Sequence, residues 1–302
     1  MSYPSVMNQN DFLYQNRRIE TVVLGDWLGK ARKLISILSE EPTSSINTII
    51  GFALNKPAYF GISNPEFVLS TAEETMLDSL LSRLLSGEPL PYITGEQEFF
   101  GFDFKVTSDV LIPRPETEML VEYALGWLQK RGGRNLVADV GTGSGCIAVS
   151  IGNNLPTAKI IGTDFSNNAL QISRVNIKRH ELDGQINLVQ TDLLAGLQVQ
   201  FDCICANLPY IPSDTLSELS VRKFEPISAL DGGRDGLRHI KPLLYQSKTR
   251  VKPDGLILLE IEATQSHSVI DLAATVFPAA SIRIHFDLSG LPRLIQVQMN
   301  GE

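Results

Sequence analysis

Residues 136–152 read LVADVGTGSGCIAVSIG, an apolar run of five residues followed by a glycine-rich turn and a second apolar run. We interpret the first run as a buried strand and the second as a helix, since a short apolar run bounded by glycines favours a strand. Beyond this segment, strand and helix patterns alternate along the chain. The sequence therefore predicts an α/β fold with a mostly parallel sheet that is covered by helices on both faces.

Six further strands are predicted after the first one at 136–140. They lie at 159–163, 185–190, 201–206, 255–261, 281–286 and 294–299. The last two flank Gly290, and we expect them to pair as an antiparallel hairpin at the end of the chain.

The region before the α/β domain has apolar residues at helical spacing. One apolar face runs from Val22 to Leu38, and a second helix is expected at 45–54. A third begins at Ser70, with Glu73 in capping position, and stops near Gly87. We therefore divide the chain into a polar leader at 1–18, a helical domain at 19–88, a β-hairpin linker at 89–112 and the α/β domain at 113–302.

The composition favours an ordinary globular protein, with 43% hydrophobic and 20% charged residues. The net charge of −8 disfavours non-specific binding to phosphate backbones, so no direct nucleic-acid partner is expected. Three cysteines do not make a disulfide framework, and we expect Cys203 and Cys205 to face one side of a buried strand. Neither a signal peptide nor a membrane span is evident, which favours a cytoplasmic location.

The glycine-rich turn is the first candidate binding site. Its glycines permit positive φ and close approach of a ligand, and the following helix offers free N–H groups to an anion. Glycines stand at every second position rather than in the G-x-G-x-x-G pattern, which weakens a dinucleotide interpretation and leaves S-adenosylmethionine as the alternative. The candidate residues are Asp139, Gly141, Thr142, Gly143, Ser144 and Gly145.

Carboxylates also follow the next two strands. Asp164 directly follows the strand at 159–163 and could accept hydrogen bonds from both ribose hydroxyls. Phe165 beside it could cover one face of adenine. Asp192 follows the strand at 185–190 and is suited to the adenine amine. Each acid alone is also a plausible helix cap. Three strand ends in succession that each deliver a carboxylate favour a nucleoside ligand.

The strand at 201–206 runs into Asn207, Leu208, Pro209 and Tyr210. Because Pro209 biases Leu208 towards an extended backbone, the Leu208 carbonyl and the Asn207 side-chain oxygen become two neighbouring acceptors for a planar NH2 group. Tyr210 would stack on that group. A plain proline-containing turn with a buried tyrosine remains the alternative. We take these four residues as the candidate catalytic and substrate-binding residues, and Asn207 also as a cofactor contact.

Several motifs together resemble the peptide chain release factor glutamine N5-methyltransferases. They are GEPLPYITGE at 87–96, DVLIPRPETE at 109–118, DVGTGSG at 139–145, KFEPISALDGG at 223–233 and DGLILLEIE at 254–262. The resemblance covers the chain from about residue 20. It implies a helical N-terminal domain, a hairpin linker and a class I (Rossmann-like) methyltransferase domain.

The resemblance also implies a reaction and roles for individual residues. The enzyme would methylate the glutamine of the Gly-Gly-Gln loop in class 1 release factors, with S-adenosylmethionine as donor. Gly141 to Gly145 would hold the methionine part, Asp164 the ribose, and Leu193 would lie near adenine. Asn207 to Tyr210 would clamp the glutamine amide. Arg114, Glu116 and Glu225 match positions that shape the site.

Two positions depart from the family pattern. Leu208 replaces the first proline of Asn-Pro-Pro-Tyr, which predicts a less rigid turn, and Glu262 replaces a glycine, which predicts crowding of a nearby loop. Rival interpretations are a glutamine methyltransferase for a ribosomal protein, an amino methyltransferase for adenine in nucleic acid, and a non-catalytic module that binds S-adenosylmethionine. The four histidines lie outside the motifs and are expected to be surface or structural residues.

Overall fold

The computed structural model describes residues 22–35 and 42–301. The predicted leader at 1–18 and the predicted end of the first helix, at Leu38, lie outside the described residues. The chain forms two compact units that divide between Ile93 and Thr94. This division falls inside the predicted linker, and the four-part division of the chain stays a prediction.

The first unit is helical, as the apolar spacing predicts. Its core contains Trp27, Ile46, Ile50 and Leu77, all buried. Two short helices, at Phe60–Ser63 and Leu90–Thr94, were not predicted, because four or five residues carry too little periodicity. The helices are α1 (Leu24–Ile35), α2 (Pro42–Leu54), α3 (Phe60–Ser63), α4 (Thr71–Leu85) and, at the division, α5 (Leu90–Thr94).

The second unit begins with the predicted hairpin and continues as alternating strands and helices. Its strands are β1 (Glu96–Phe99), β2 (Phe102–Lys105), β3 (Leu136–Val140), β4 (Lys159–Asp164), β5 (Ile186–Gln190), β6 (Phe201–Ala206), β7 (Val251–Glu260), β8 (Ser281–Phe286) and β9 (Pro292–Gln298). Its helices are α6 (Pro115–Arg131), α7 (Cys146–Asn154), α8 (Asn167–Arg179), α9 (Ser213–Glu218), α10 (Ile240–Ser247) and α11 (Ser266–Val276).

The seven-stranded sheet has the order β5-β4-β3-β6-β7-β9-β8, in which the first five strands are parallel and β9 is antiparallel to both neighbours. The predicted parallel sheet with a C-terminal antiparallel hairpin is confirmed. Strand β7 begins at Val251, four residues before the predicted start at 255. Its pairing with β6 is irregular at this end, where a strand tolerates Pro253 and Gly255.

Alternating side chains of the sheet build two cores. Val137, Cys203 and Cys205 face the core under α6 and α7, while Ala138 and Ile204 face the core under α10 and α11. The two cysteine sulfurs are 3.7 Å apart, which confirms that they share one face of a buried strand. A sheet buried on both faces fixes the strand register and therefore where each strand ends.

The hairpin is fastened to the sheet by Asn176 of α8, which is fully buried. Its Oδ1 accepts from the Lys105 N–H at 2.7 Å, and its Nδ2 donates to the carbonyls of Lys105 at 3.0 Å and Ser144 at 2.8 Å. One amide therefore satisfies backbone groups of both the hairpin and the glycine-rich turn. The hydrogen bond to Ser144 thus holds the glycine-rich turn against α8.

The described residues contain no helix that is long and apolar enough to cross a membrane.

We expect Ser70→Ala to destabilise the start of α4. Ser70 and Glu73 form a reciprocal capping box, in which the Ser70 N–H donates to Glu73 at 2.8 Å. Loss of such a cap costs about 1 kcal/mol, so the amides of the first turn should exchange with solvent several times faster. Ser70→Asp, which keeps an N-cap acceptor, is the control. Unchanged exchange in Ser70→Ala would show that the cap does not stabilise this helix.

Candidate active site

A cavity of about 480 Å³ opens at the carboxyl ends of the parallel strands. This is the edge at which open α/β sheets bind ligands, and the volume falls within the range of small-molecule sites. Residues that follow β3, β4, β5 and β6 all reach it. The wall contains Gly141, Thr142, Gly143, Ser144, Asp164, Phe165, Asp192, Leu193, Asn207, Leu208 and Pro209. Three further candidate residues, Asp139, Gly145 and Tyr210, are not part of the wall.

The glycine-rich turn requires its glycines. Gly141, Gly143 and Gly145 have φ of +71°, +55° and +83°, values that disfavour side chains. A Cβ at Gly145 would also lie 2.5 Å from the Ser173 hydroxyl oxygen. Gly145 is the N-cap of α7, so the turn delivers the chain to the helix while it exposes backbone to the cavity.

Asp139 lies beneath this turn and is completely buried. One of its oxygens accepts from the Thr142 hydroxyl at 2.6 Å and from the Ala148 N–H at 3.1 Å. Burial raises the pKa of Asp139 to about 6, and these two donors counteract the rise. Asp139 therefore holds the shape of the turn from below.

Asp164 joins the turn to the neighbouring strand. Its two oxygens accept from the N–H groups of Gly143 at 3.0 Å and Ser166 at 2.8 Å. Burial raises its pKa, and the backbone donors lower it in part. Each carboxylate oxygen has a further lone pair for a ligand hydroxyl. Phe165 beside it is 77% exposed at the cavity, so a flat apolar group can lie against its ring.

Asn207 lies in the cavity wall, and the NH2 group of its side-chain amide is hydrogen-bonded within the protein. Its Nδ2 donates to the Thr117 hydroxyl oxygen at 2.9 Å. The other side, Oδ1, is left as an acceptor. Leu208 lines the same cavity, and the use of its carbonyl as a second acceptor stays a prediction.

The turn that contains Asn207 is braced from outside rather than by a second proline. The Gln265 side chain donates to the Tyr210 carbonyl at 2.7 Å. Gly232 and Gly236 pack so closely that a Cβ at either would come within 3 Å of Tyr210 backbone atoms. Gly232 of the 223–233 motif and Gly236 just after it therefore position this turn, a role that their sequence spacing did not indicate.

Leu208 and Glu262, the two departures from the family pattern, both have structural roles. Leu208 is buried, and its Cδ2 would be 2.9 Å from a Cβ placed on Gly141, so it packs against the glycine-rich turn. The Glu262 carboxylate caps the short helix Ala263–Gln265 by accepting from the Thr264 N–H at 2.8 Å. Glu262 therefore orders the loop that carries Gln265, and the expectation of crowding stays a prediction.

The segment before α6 forms part of the wall through Arg114. Its guanidinium is paired with the buried carboxylate of Glu225, which also accepts from the Ile112 N–H at 3.3 Å. Glu116 is exposed and outside the wall. His239 lines the cavity although no motif singled it out. His180 and His285 instead pack against aromatic rings, as expected of structural residues.

Among residues 22–35 and 42–301, no cluster of histidine, cysteine, aspartate or glutamate could hold a metal ion.

Two family models match the chain. The Methyltransferase small domain matches residues 117–224, and the PrmC N-terminal domain matches residues 26–95. The release factor glutamine methyltransferase of Koribacter versatilis is 38% identical over 259 residues, which are 84% of this chain and 90% of that protein. That of Moorella thermoacetica is 37% identical over 269 residues, 88% of this chain and 95% of that protein.

Solved structures share the α/β fold. The hMettl16 catalytic domain in complex with an RNA hairpin aligns with a TM-score of 0.54 at 14% identity, over 67% of this chain and 77% of that one. A methyltransferase from Pyrococcus furiosus aligns with a TM-score of 0.52 at 16% identity, over 74% of this chain and 100% of that one. At this identity the likeness concerns the fold alone, and it confirms the class I methyltransferase fold.

We expect Asp139→Asn to change how stability depends on pH. Because the folded-state pKa of about 6 lies above the ordinary value of 3.8, the folded protein binds this proton more tightly than the unfolded chain does. The stabilisation of the folded state by this proton is complete below pH 3.8, the ordinary pKa. It is lost as the pH rises through the folded-state pKa of about 6. Urea midpoints measured at intervals between these pH values should therefore fall less steeply for Asp139→Asn than for wild type. Parallel curves would contradict the account.

Proposed function

The chain belongs to the release factor glutamine methyltransferase family, and we propose that it methylates the glutamine of the Gly-Gly-Gln loop in class 1 peptide chain release factors. The methyl group goes to the side-chain amide nitrogen, N5. The enzyme is a methyltransferase whose methyl donor is S-adenosylmethionine. The family's name supports release factor as partner, and the acceptor oxygen that Asn207 keeps in the cavity wall supports an amide as the group that is methylated.

The cavity fits S-adenosylmethionine by the chemistry of its wall. The turn at 141–144 presents backbone to a carboxylate, and Asp164 keeps lone pairs for two ribose hydroxyls. Phe165 and Leu193 offer apolar surface for adenine, and Asp192 an acceptor for its amine. When bound, this donor supplies a methyl group on a positively charged sulfur. We assign these residues to cofactor binding.

The observation that carries the substrate proposal is the hydrogen bond that the Asn207 Nδ2 donates to the Thr117 hydroxyl oxygen. Since that hydrogen bond leaves Oδ1 as the free side of the amide, Asn207 accepts from a substrate rather than donates to it. The Leu208 carbonyl is the second acceptor. Together they bind both hydrogens of a planar NH2 group, and Pro209 restricts the backbone that aligns them.

These two hydrogen bonds would counter the main chemical difficulty of the reaction. An amide nitrogen is a poor nucleophile because its lone pair is delocalised into the carbonyl. Two acceptors that fix both N–H bonds also fix the direction of the lone pair, so attack is favoured by orientation. The wall around them, with Leu208 buried against Gly141, limits the access of water. With the donor bound, the new N–C bond would form as the bond between the methyl carbon and the sulfur breaks, and one N–H proton would afterwards pass to solvent water.

The function is tested by incubating the full chain with S-adenosylmethionine and purified release factor, then measuring the mass of the tryptic Gly-Gly-Gln peptide. We expect one methyl group on the glutamine. Asn207→Ala should lower the rate by about a hundredfold or more, the scale of losing a positioned polar group. Asn187→Ala, an exposed asparagine of β5 outside the cavity wall, is the matched control.

Parallel reactions with ribosomal protein, DNA and RNA separate the rivals. Methylation of a ribosomal protein or of nucleic acid, with none on release factor, would overturn the proposed substrate. Binding of S-adenosylmethionine without transfer to any of them would favour a non-catalytic module.

We expect Asp164→Asn to weaken S-adenosylmethionine binding by about tenfold to a hundredfold, the range for hydrogen bonds to a charged group. The substitution preserves shape but removes the carboxylate that accepts from both Gly143 and Ser166. Calorimetric titration gives the dissociation constant. Asp103→Asn, an exposed aspartate of the hairpin, is the control. Equal affinity in Asp164→Asn and wild type would exclude Asp164 from the ribose site.

A further inference from the structure

The segment 227–239 contributes to the cavity wall an arginine that has unused hydrogen-bond donors. Arg238 lines the cavity, and its side chain is 57% exposed. Its Nη1 donates to an Asp231 oxygen at 2.8 Å, which is the one side-chain hydrogen bond that Arg238 makes among the described residues. A guanidinium has five N–H donors in a planar fork. Several of them therefore remain for a ligand in the cavity.

Asp231 determines where this guanidinium lies. Its second oxygen, Oδ1, accepts from the Ser213 hydroxyl at 2.6 Å and from the Gly233 N–H at 3.0 Å. The Arg238 side chain also packs against Gly233, where an added Cβ would lie 3.0 Å from both its Cβ and its Nε. An exposed ion pair adds little to stability by itself. Its consequence here is geometric, because a carboxylate held by two other donors keeps the arginine in one place.

The same segment is joined to the turn that contains Asn207. The Ile211 carbonyl accepts from the Gly232 N–H at 2.8 Å, and Ile211 forms a parallel β-bridge with Asp231. The Gly232 carbonyl in turn accepts from the Arg238 N–H at 2.9 Å. Ile211 lies four residues after Asn207. Arg238 is therefore attached to the part of the wall that would receive the substrate amide.

The charges around Arg238 favour a neutral acceptor as its ligand. Hydrogen bonds from Ser213 and Gly233 lower the pKa of Asp231, so this carboxylate is ionised at neutral pH and offsets the charge of Arg238. A phosphate or carboxylate at the fork would meet a like charge beside it, whereas a main-chain carbonyl has no net charge. Ile227, which is 52% exposed, lines the same cavity and offers apolar surface to a peptide.

We propose that Arg238, held by Asp231, binds a main-chain carbonyl of the two glycines that precede the target glutamine. The inference deepens the proposed function and rests on it. Glycines have no Cβ, so their carbonyls can approach a guanidinium closely. Arg238 is thus a substrate-binding residue and Asp231 a positioning residue. Together they select a glutamine that is carried in such a loop over a glutamine side chain alone.

The first measurement is the single-turnover rate of methylation as a function of release factor concentration, with saturating S-adenosylmethionine. Arg238→Met keeps an apolar stem against Gly233 but removes every donor. We expect the half-saturating concentration to rise about tenfold to a hundredfold, the range for hydrogen bonds to a charged group. The maximal rate should stay within about threefold, because a contact made equally before and during the reaction changes binding alone. Arg174→Met, at an exposed arginine of α8 outside the cavity wall, is the matched control.

Asp231→Asn tests the positioning role. The substitution keeps the shape of the side chain, but its amide cannot accept from Ser213 and Arg238 on separate oxygens. The half-saturating concentration should rise by about tenfold, since Arg238 loses its fixed partner. The double variant Asp231→Asn, Arg238→Met should bind no more weakly than Arg238→Met alone, because both act through one path. Additive losses would show that Asp231 does not act through Arg238.

Salt tests whether the acceptor is neutral. The ratio of half-saturating concentrations between Arg238→Met and wild type should be the same at about 50 mM and about 500 mM salt, because a carbonyl has no net charge for ions to screen. A ratio that falls to about one at the higher salt concentration would indicate attraction of an anionic group. That result would overturn the inference.

Arg238→Ala, which also removes the stem, separates binding from packing. If Arg238→Met binds release factor as tightly as wild type and Arg238→Ala alone is impaired, the side chain acts by packing and the inference fails. Affinity for S-adenosylmethionine should stay within about twofold in all these variants, because separate sites contribute independently. Methylation by wild type with an unchanged half-saturating concentration in Arg238→Met would overturn this inference alone. Absence of methylation by wild type would overturn the proposed function and this inference with it.

Discussion

The constraint on which the rest of the structure depends is the parallel pairing of β4, β3 and β6. Val140, the last residue of β3, is paired with Thr163 on one side and with Ala206 on the other. Because parallel strands end at the same edge, the residues that follow them are forced together. The glycine-rich turn, Asp164 and Asn207 share a cavity for this reason, although they are far apart along the chain.

Buried carboxylates stabilise the loops at this edge. Asp139 holds the glycine-rich turn, and Glu225 holds Arg114 and the segment before α6. A buried charge is costly unless it is hydrogen-bonded or paired, so each of these acids requires its partners in place. The cavity wall is thus built by groups that ligands never need to touch, and small changes in them reach the site through hydrogen bonds.

The parts of the site that were predictable from sequence are local. The positive φ of Gly141, Gly143 and Gly145 and the carboxylate at the end of β4 follow from short patterns within or next to a strand. The contacts that position the substrate turn were not predictable, because they join residues distant in sequence. Asn207 and Thr117 are 90 residues apart, and Gln265 and Tyr210 are 55 apart. No periodicity or motif spacing encodes such pairs.

The central claim is that the Asn207 side-chain oxygen and the Leu208 carbonyl together hold the NH2 of a glutamine. A crystal structure of the full chain with a Gly-Gly-Gln peptide and S-adenosylhomocysteine tests it most directly. We expect the glutamine nitrogen within about 2.7–3.2 Å of both oxygens, the range of N–H···O hydrogen bonds. A glutamine side chain bound elsewhere, or held by only one of these two oxygens, would contradict it.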